Sequence, residues 1–96
     1  KALQNGGATS SITTEGTIIR YNVPVTMAGP ASIEIYNVAG EKVRTIDLGV
    51  PSTNTYNYVE WDGRNALGEA VARGMYFWRV VDPQGRAKTG KVALIR

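Results

Sequence analysis

From Thr17 onward the chain alternates. Ile19, Tyr21 and Val23 fall on one side of an extended backbone, Arg20 and Asn22 on the other, which is the two-residue period of a strand with one buried face. Pro24 has no N–H to give to a ladder and ends that strand. Ala31 to Val38 repeats the pattern, Ile33 and Ile35 set against Ser32, Glu34 and Tyr36. Ala39-Gly40 predicts a tight turn into a strand over Lys42 to Leu48, with Ile46 and Leu48 facing away from Val43. Asn54 to Trp61 reads as a strand with Val59 and Trp61 on one face. Met75 to Val81 is the most strongly patterned run, Tyr76, Trp78 and Val80 against Phe77, Arg79 and Val81. Asp82-Pro83-Gln84-Gly85 has the composition of a type I turn. Lys88 to Arg96 then predicts the last strand, Val92 and Leu94 alternating with Lys91 and Ala93.

Strands recurring at roughly 8–12 residues, with no sustained helical period, predict an all-β chain: an immunoglobulin-like or fibronectin III-like antiparallel β-sandwich of about seven strands. Between Trp61 and Met75, the glycines at 63, 68 and 74 are too frequent for a stable helix; Ala66 to Ala72 has room for one turn at most. Gly40, Gly63, Gly68 and Gly74 are expected at positive-φ turns. The expected core is Ile19, Tyr21, Ile33, Ile35, Trp61, Tyr76, Trp78 and Val80. Residues 1–14 are small and polar, with Gly6-Gly7 and a Ser/Thr cluster, and predict a linker or an N-terminal edge arm that tightens around Ser11 to Thr14; residues 15–96 form the sandwich. A chain opening at Lys1 without Met reads as a processed product or a piece of something longer.

Composition adds mainly exclusions. Ninety-six residues make one domain, near the lower end of what sustains its own core. There is no Cys and no His. That removes disulfides, a thiol nucleophile, the usual neutral-pH general base, and with it a Ser-His-Asp triad. The net charge of +3 is the balance of 11 basic and 8 acidic residues, the basic ones spread along the chain, unlike the concentrated patch of a nucleic-acid binder. No apolar run approaches the ~20 residues of a membrane-spanning helix. The glycines of the Trp61-to-Gly74 loop do not form a phosphate cradle, since no Gly-Lys-Ser/Thr follows. Asp62, Asn65 and Glu69 could in principle offer oxygen ligands to calcium, but their order departs from the EF-hand spacing. Asp62 fits an Asx turn better. Glu60 and Asp62 are a carboxylate pair without a cleft for glycosidase chemistry in so small a sandwich. The expectation is no enzyme and no cofactor.

Several of these segments together resemble a known family. Ile19-Arg20-Tyr21-Asn22-Val23-Pro24 fits an opening strand, and Ile33 to Arg44 fits its strand, glycine turn and strand. Trp61-Asp62-Gly63-Arg64-Asn65 leads to Gly68, then Gly74-Met75-Tyr76-Phe77-Trp78-Arg79-Val80, with Lys91 to Arg96 as a basic-apolar ending. From Ile19 to the end, the chain resembles the FlgD-type immunoglobulin-like domain of the flagellar hook-capping protein and of C-terminal modules in large secreted bacterial proteins. Related sorting domains of the type IX secretion system commonly carry an Asn-Pro-Phe-like segment before the first strand. This chain has Ile12-Thr13-Thr14-Glu15-Gly16 there, a departure from the sorting pattern that leaves the fold assignment intact.

The resemblance implies a non-catalytic accessory module, C-terminal in a secreted or cell-surface bacterial protein exported through the periplasm. Its partners would be neighbouring domains or other surface and secretion proteins. Two other readings stand beside it. A Ser/Thr-rich arm could join subunits of an extracellular assembly by strand addition at open sheet edges. Alternatively, exposed Tyr36, Tyr56 and Tyr58 could form a sugar-stacking platform.

Overall fold

The computed structural model describes residues 17–95. The linker or arm expected over residues 1–14, the Ile12-to-Gly16 segment and the terminal Arg96 lie outside the described residues. Among the described residues six strands and one short 3-10 turn follow in order: β1 Thr17–Asn22, the turn Val25–Met27, β2 Ala31–Tyr36, β3 Lys42–Gly49, β4 Tyr56–Trp61, β5 Gly74–Val81 and β6 Ala87–Leu94. β1 pairs with β4, and a four-stranded sheet runs in the order β3-β2-β5-β6, with every neighbour antiparallel. This is an immunoglobulin-like β-sandwich.

The alternation explains the layers. Odd positions of β1 and β4 turn inward, Ile19 opposite Val59 and Thr17 opposite Trp61. Against them stand Ile33 and Ile35 of β2, Tyr76 and Val80 of β5, and Leu94 of β6. Ile19, Tyr21, Ile33, Ile35, Trp61, Tyr76 and Val80 are all buried, as are Val23 and Met27 beyond the end of β1. Burial of such side chains contributes roughly 1.5–3 kcal/mol each and holds the two sheets together.

The β2–β3 ladder shifts register twice, at Leu48 and at Val43, and Trp78 departs from the expected burial. The ladder between β2 and β3 pairs Ile35 with Arg44 but Tyr36 with Lys42, leaving Val43 as the extra residue of a β-bulge. A bulge sets two residues of one strand opposite one of its partner. Val43 therefore packs against the core alongside Ile46 and Leu48 rather than away from them. Trp78 is half-buried and packs on the flank of the core, not inside it with Tyr76 and Val80. It points inward from β5, but among the described residues the facing sheet has two strands against four, which leaves part of the indole uncovered.

Candidate functional site

The connection from Trp61 to Gly74 is built around a buried indole. Trp61 is fully buried, and its Nε1–H donates to the Arg64 carbonyl at 3.0 Å. Tyr76 packs against it in a T-shaped pair, ring centroids 5.0 Å apart and planes at 74°, a favoured geometry of an aromatic pair. The Tyr76 hydroxyl donates to the Ala72 carbonyl, which ties the far end of the loop to the same cluster. Asp62 Oδ1 accepts from the Arg64 N–H at 3.0 Å and from Arg44 Nη1 at 2.9 Å. The same Arg44 nitrogen donates to the Arg64 carbonyl at 3.1 Å. Val71 N–H closes on the Gly63 carbonyl at 3.0 Å.

The oxygens considered for calcium serve this loop instead. Asn65 Oδ1 accepts from the N–H groups of Leu67 and Glu69, and Asn65 Nδ2 donates to Glu69 Oε1 at 3.1 Å. Asp62, Asn65 and Glu69 thus each accept from N–H groups of the chain itself. Among the described residues no group of three or more His, Cys, Asp or Glu stands close enough to hold a metal ion. Glu60 lies exposed on β4 while Asp62 is committed to the Arg44 side.

The same loop geometry occurs three times, a regularity the strand-by-strand reading missed. Asn37-Val38-Ala39-Gly40-Glu41, Asn65-Ala66-Leu67-Gly68-Glu69 and Asp82-Pro83-Gln84-Gly85-Arg86 share one bond pattern. In each, the first side chain's Oδ1 accepts from the N–H groups two and four residues on. The glycine N–H donates to the first carbonyl, and the first N–H donates to the last carbonyl. The glycines have φ of 82°, 82° and 84°, a region side chains rarely enter. The sequence signal is Asn or Asp, two free positions, Gly, then Glu or Arg. The fifth residue's side chain completes each loop: Glu41 and Glu69 accept from the Asn amide, and Arg86 Nε donates to Asp82 Oδ2 at 2.7 Å.

Asp82 is the buried member of the set, its side chain only 1% exposed. Burial pushes its carboxyl up, but the Arg86 N–H, the Arg86 guanidinium and the Gln84 N–H outweigh this and hold it below the ordinary value. A depressed carboxyl adds stability that is fully present above the unfolded Asp pKa of ~3.9 and is lost as pH falls through the folded value. Asp82→Asn keeps the Oδ1 acceptor and removes the charge. It is expected to make the loss of stability below about pH 4 shallower in urea melts run across acid pH; an unchanged acid limb would contradict this role.

The exposed tyrosines do not form one platform. Tyr56 and Tyr58 project from the outer face of β4, 57% and 65% exposed, with the Arg20 guanidinium 4.3 Å above the Tyr56 ring. Tyr36 lies on the outer face of the other sheet, its hydroxyl donating to Glu34 Oε1 at 2.7 Å. That bond, with Lys42 and Arg79 beside it, holds the Glu34 carboxyl below its usual range despite partial burial. It raises the Tyr36 phenol correspondingly. A flat sugar surface using all three rings is excluded by the topology.

Fold and site define a class: a small immunoglobulin-like sandwich whose most elaborate loop is a structural strap. The family model for the FlgD Ig-like domain matches residues 7–85, and the chain belongs to that family, a non-catalytic one. FlgD from P. aeruginosa superposes with a TM-score of 0.67 at 21% identity, over 88% of this chain and 63% of that one. PorZ, described as an essential bacterial surface component of the type IX secretion system of Porphyromonas gingivalis, superposes with a TM-score of 0.52 at 24% identity. That match covers 82% of this chain and 11% of PorZ. No curated protein is significantly similar in sequence.

Proposed function

We propose that the chain is a non-catalytic accessory module of a bacterial protein that is secreted through the periplasm or held at the cell surface. There it would space, anchor or sort the domains beside it. The observation that carries this reading is the use of polar groups from Trp61 to Gly74: Asp62, Asn65 and Glu69 bond donors of the chain itself. A loop so committed transmits position; it does not move protons. Family membership supports the reading, and so do solved chains longer than this one, of which it spans 63% and 11%. A place toward the C-terminal end of the polypeptide, with neighbouring domains and other surface or secretion proteins as partners, follows the family resemblance.

The test is to remove residues 1–96 from the native polypeptide. Activity per molecule of the remaining domains is expected to persist, while the amount exported or retained at the surface falls. Loss of turnover at unchanged amount and location would overturn the reading.

Sheet edges left unpaired among the described residues favour a second reading, a structural subunit joined by strand addition. β3 and β6 flank the larger sheet, and β1 and β4 each have one strand neighbour among the described residues. Deleting residues 1–14 would then abolish assembly, and polymers unchanged without them would exclude it. The exposed Tyr56 and Tyr58 alone keep a carbohydrate-binding reading open to a pull-down on insoluble polysaccharide.

A further inference from the structure

The outer face of the four-stranded sheet carries a row of side chains that lie outside the core. Register sets Lys42, Tyr36, Phe77 and Lys91 side by side across β3, β2, β5 and β6. Two aromatic rings are thus flanked by two ammonium groups, the outer strands roughly 14 Å apart at the ~4.8 Å strand spacing. One step along β5 on the same face, Met75 is 48% exposed; Phe77 is 40% exposed and Val38, in the adjoining turn, 75%. A shallow groove of about 750 Å³ runs over this area, with Tyr36, Val38, Phe77, Arg79 and Lys91 among its lining. Scattered exposed apolar residues are ordinary. Apolar residues brought into one patch by register and rimmed with charge are the pattern of an interaction surface.

We propose that this face docks an acidic segment of a protein partner, whose apolar side chains cover Phe77 and Tyr36 and whose carboxylates meet Lys42, Arg79 and Lys91. This rests on the accessory-module reading and gives its partner a chemistry. Charge complementarity selects the occupant. The central carboxylate, Glu34, is already engaged by Lys42 at 3.5 Å, Arg79 at 3.2 Å and the Tyr36 hydroxyl. Asp47, two rows away on β3, accepts from the Gly49 N–H. Lys91 has no ion-pair partner among the described residues, so the row keeps a positive excess. Aromatic, Met and Arg side chains are the composition enriched at protein–protein contacts.

The test uses the ¹⁵N-labelled chain and a short amidated peptide alternating Glu with Phe and Leu, against a control with Lys in place of Glu. Amide shifts are expected on β2, β5 and β6 around Tyr36, Phe77 and Lys91, weakening as salt is added. The lysine peptide is expected to give none. The double variant Phe77→Ser/Lys91→Glu changes exposed positions only, and its fold is checked by its own spectrum. It is expected to weaken binding roughly tenfold or more. No shifts, equal shifts with the lysine peptide, shifts on the β1–β4 face, or a preference for duplex DNA or anionic vesicles over the peptide would each overturn the proposal. None of these bears on whether the chain is an accessory module, which the deletion experiment decides separately.

Discussion

Trp61→Ala is expected to remove roughly 3–5 kcal/mol of folding stability, the usual cost of truncating a large buried aromatic. Against a typical margin of ~5–15 kcal/mol for a whole protein, that approaches loss of the fold at physiological temperature. Three contacts go at once. The indole fills the space between β4 and β5, packs T-shaped against Tyr76, and donates to the Arg64 carbonyl that also receives Arg44. Trp61→Phe separates packing from hydrogen bonding: it keeps most of the aromatic surface and gives up the Nε1–H bond. It should cost less than alanine, with ~1 kcal/mol of its loss assignable to the bond. Equilibrium urea unfolding checks both; a loss under ~1 kcal/mol for alanine would mean that the indole does not anchor the loop.

Gly90→Ala is the second large effect, and its sign runs against ordinary strand preference. Gly in a strand interior normally costs roughly 0.5–1 kcal/mol relative to Ala. Here an added Cβ would stand 2.3 Å from Trp78 Cζ2 and 2.5 Å from Cε2, because the indole lies across Gly90 from the neighbouring strand. Either the ring or the strand must move, and overpacking of this kind costs roughly 1–3 kcal/mol. Trp78 is half-buried, so the ring has an escape toward solvent, and a red shift in tryptophan emission should accompany the loss. The diagnostic is a double-mutant cycle. In a Trp78→Ala background Gly90→Ala should become neutral or mildly stabilising; the same cost in both backgrounds would contradict the account.

Alternation made most of the sandwich legible. Ile19 with Tyr21, Ile33 with Ile35, and Tyr76 with Val80 are read directly from a two-residue period, because both sheets bury one face. Alternation fails at Val43, where one inserted residue reverses the facing of everything before it, and no residue type at that position announces a bulge. Trp78 shares its inward face with two buried residues, yet its cover depends on how wide the opposite sheet is, which no single strand encodes. Asp62, Asn65 and Glu69 are recognisable as oxygen donors from sequence. Only the folded loop shows those oxygens turned to N–H groups and Arg44 instead of to one another. Residue type alone groups Tyr36 with Tyr56 and Tyr58; strand order puts them in opposite layers. The Lys42–Tyr36–Phe77–Lys91 row likewise exists only once register is known.

The accessory-module reading makes one claim above the others: this domain is carried by a longer exported polypeptide. An antibody raised against the folded domain, used to probe size-resolved cell and culture fractions, tests it in one measurement. The account predicts a reactive polypeptide well above the 10.4 kDa of this chain, found at the cell surface or in the medium. A reactive species near 10.4 kDa confined to the cytoplasm would contradict it.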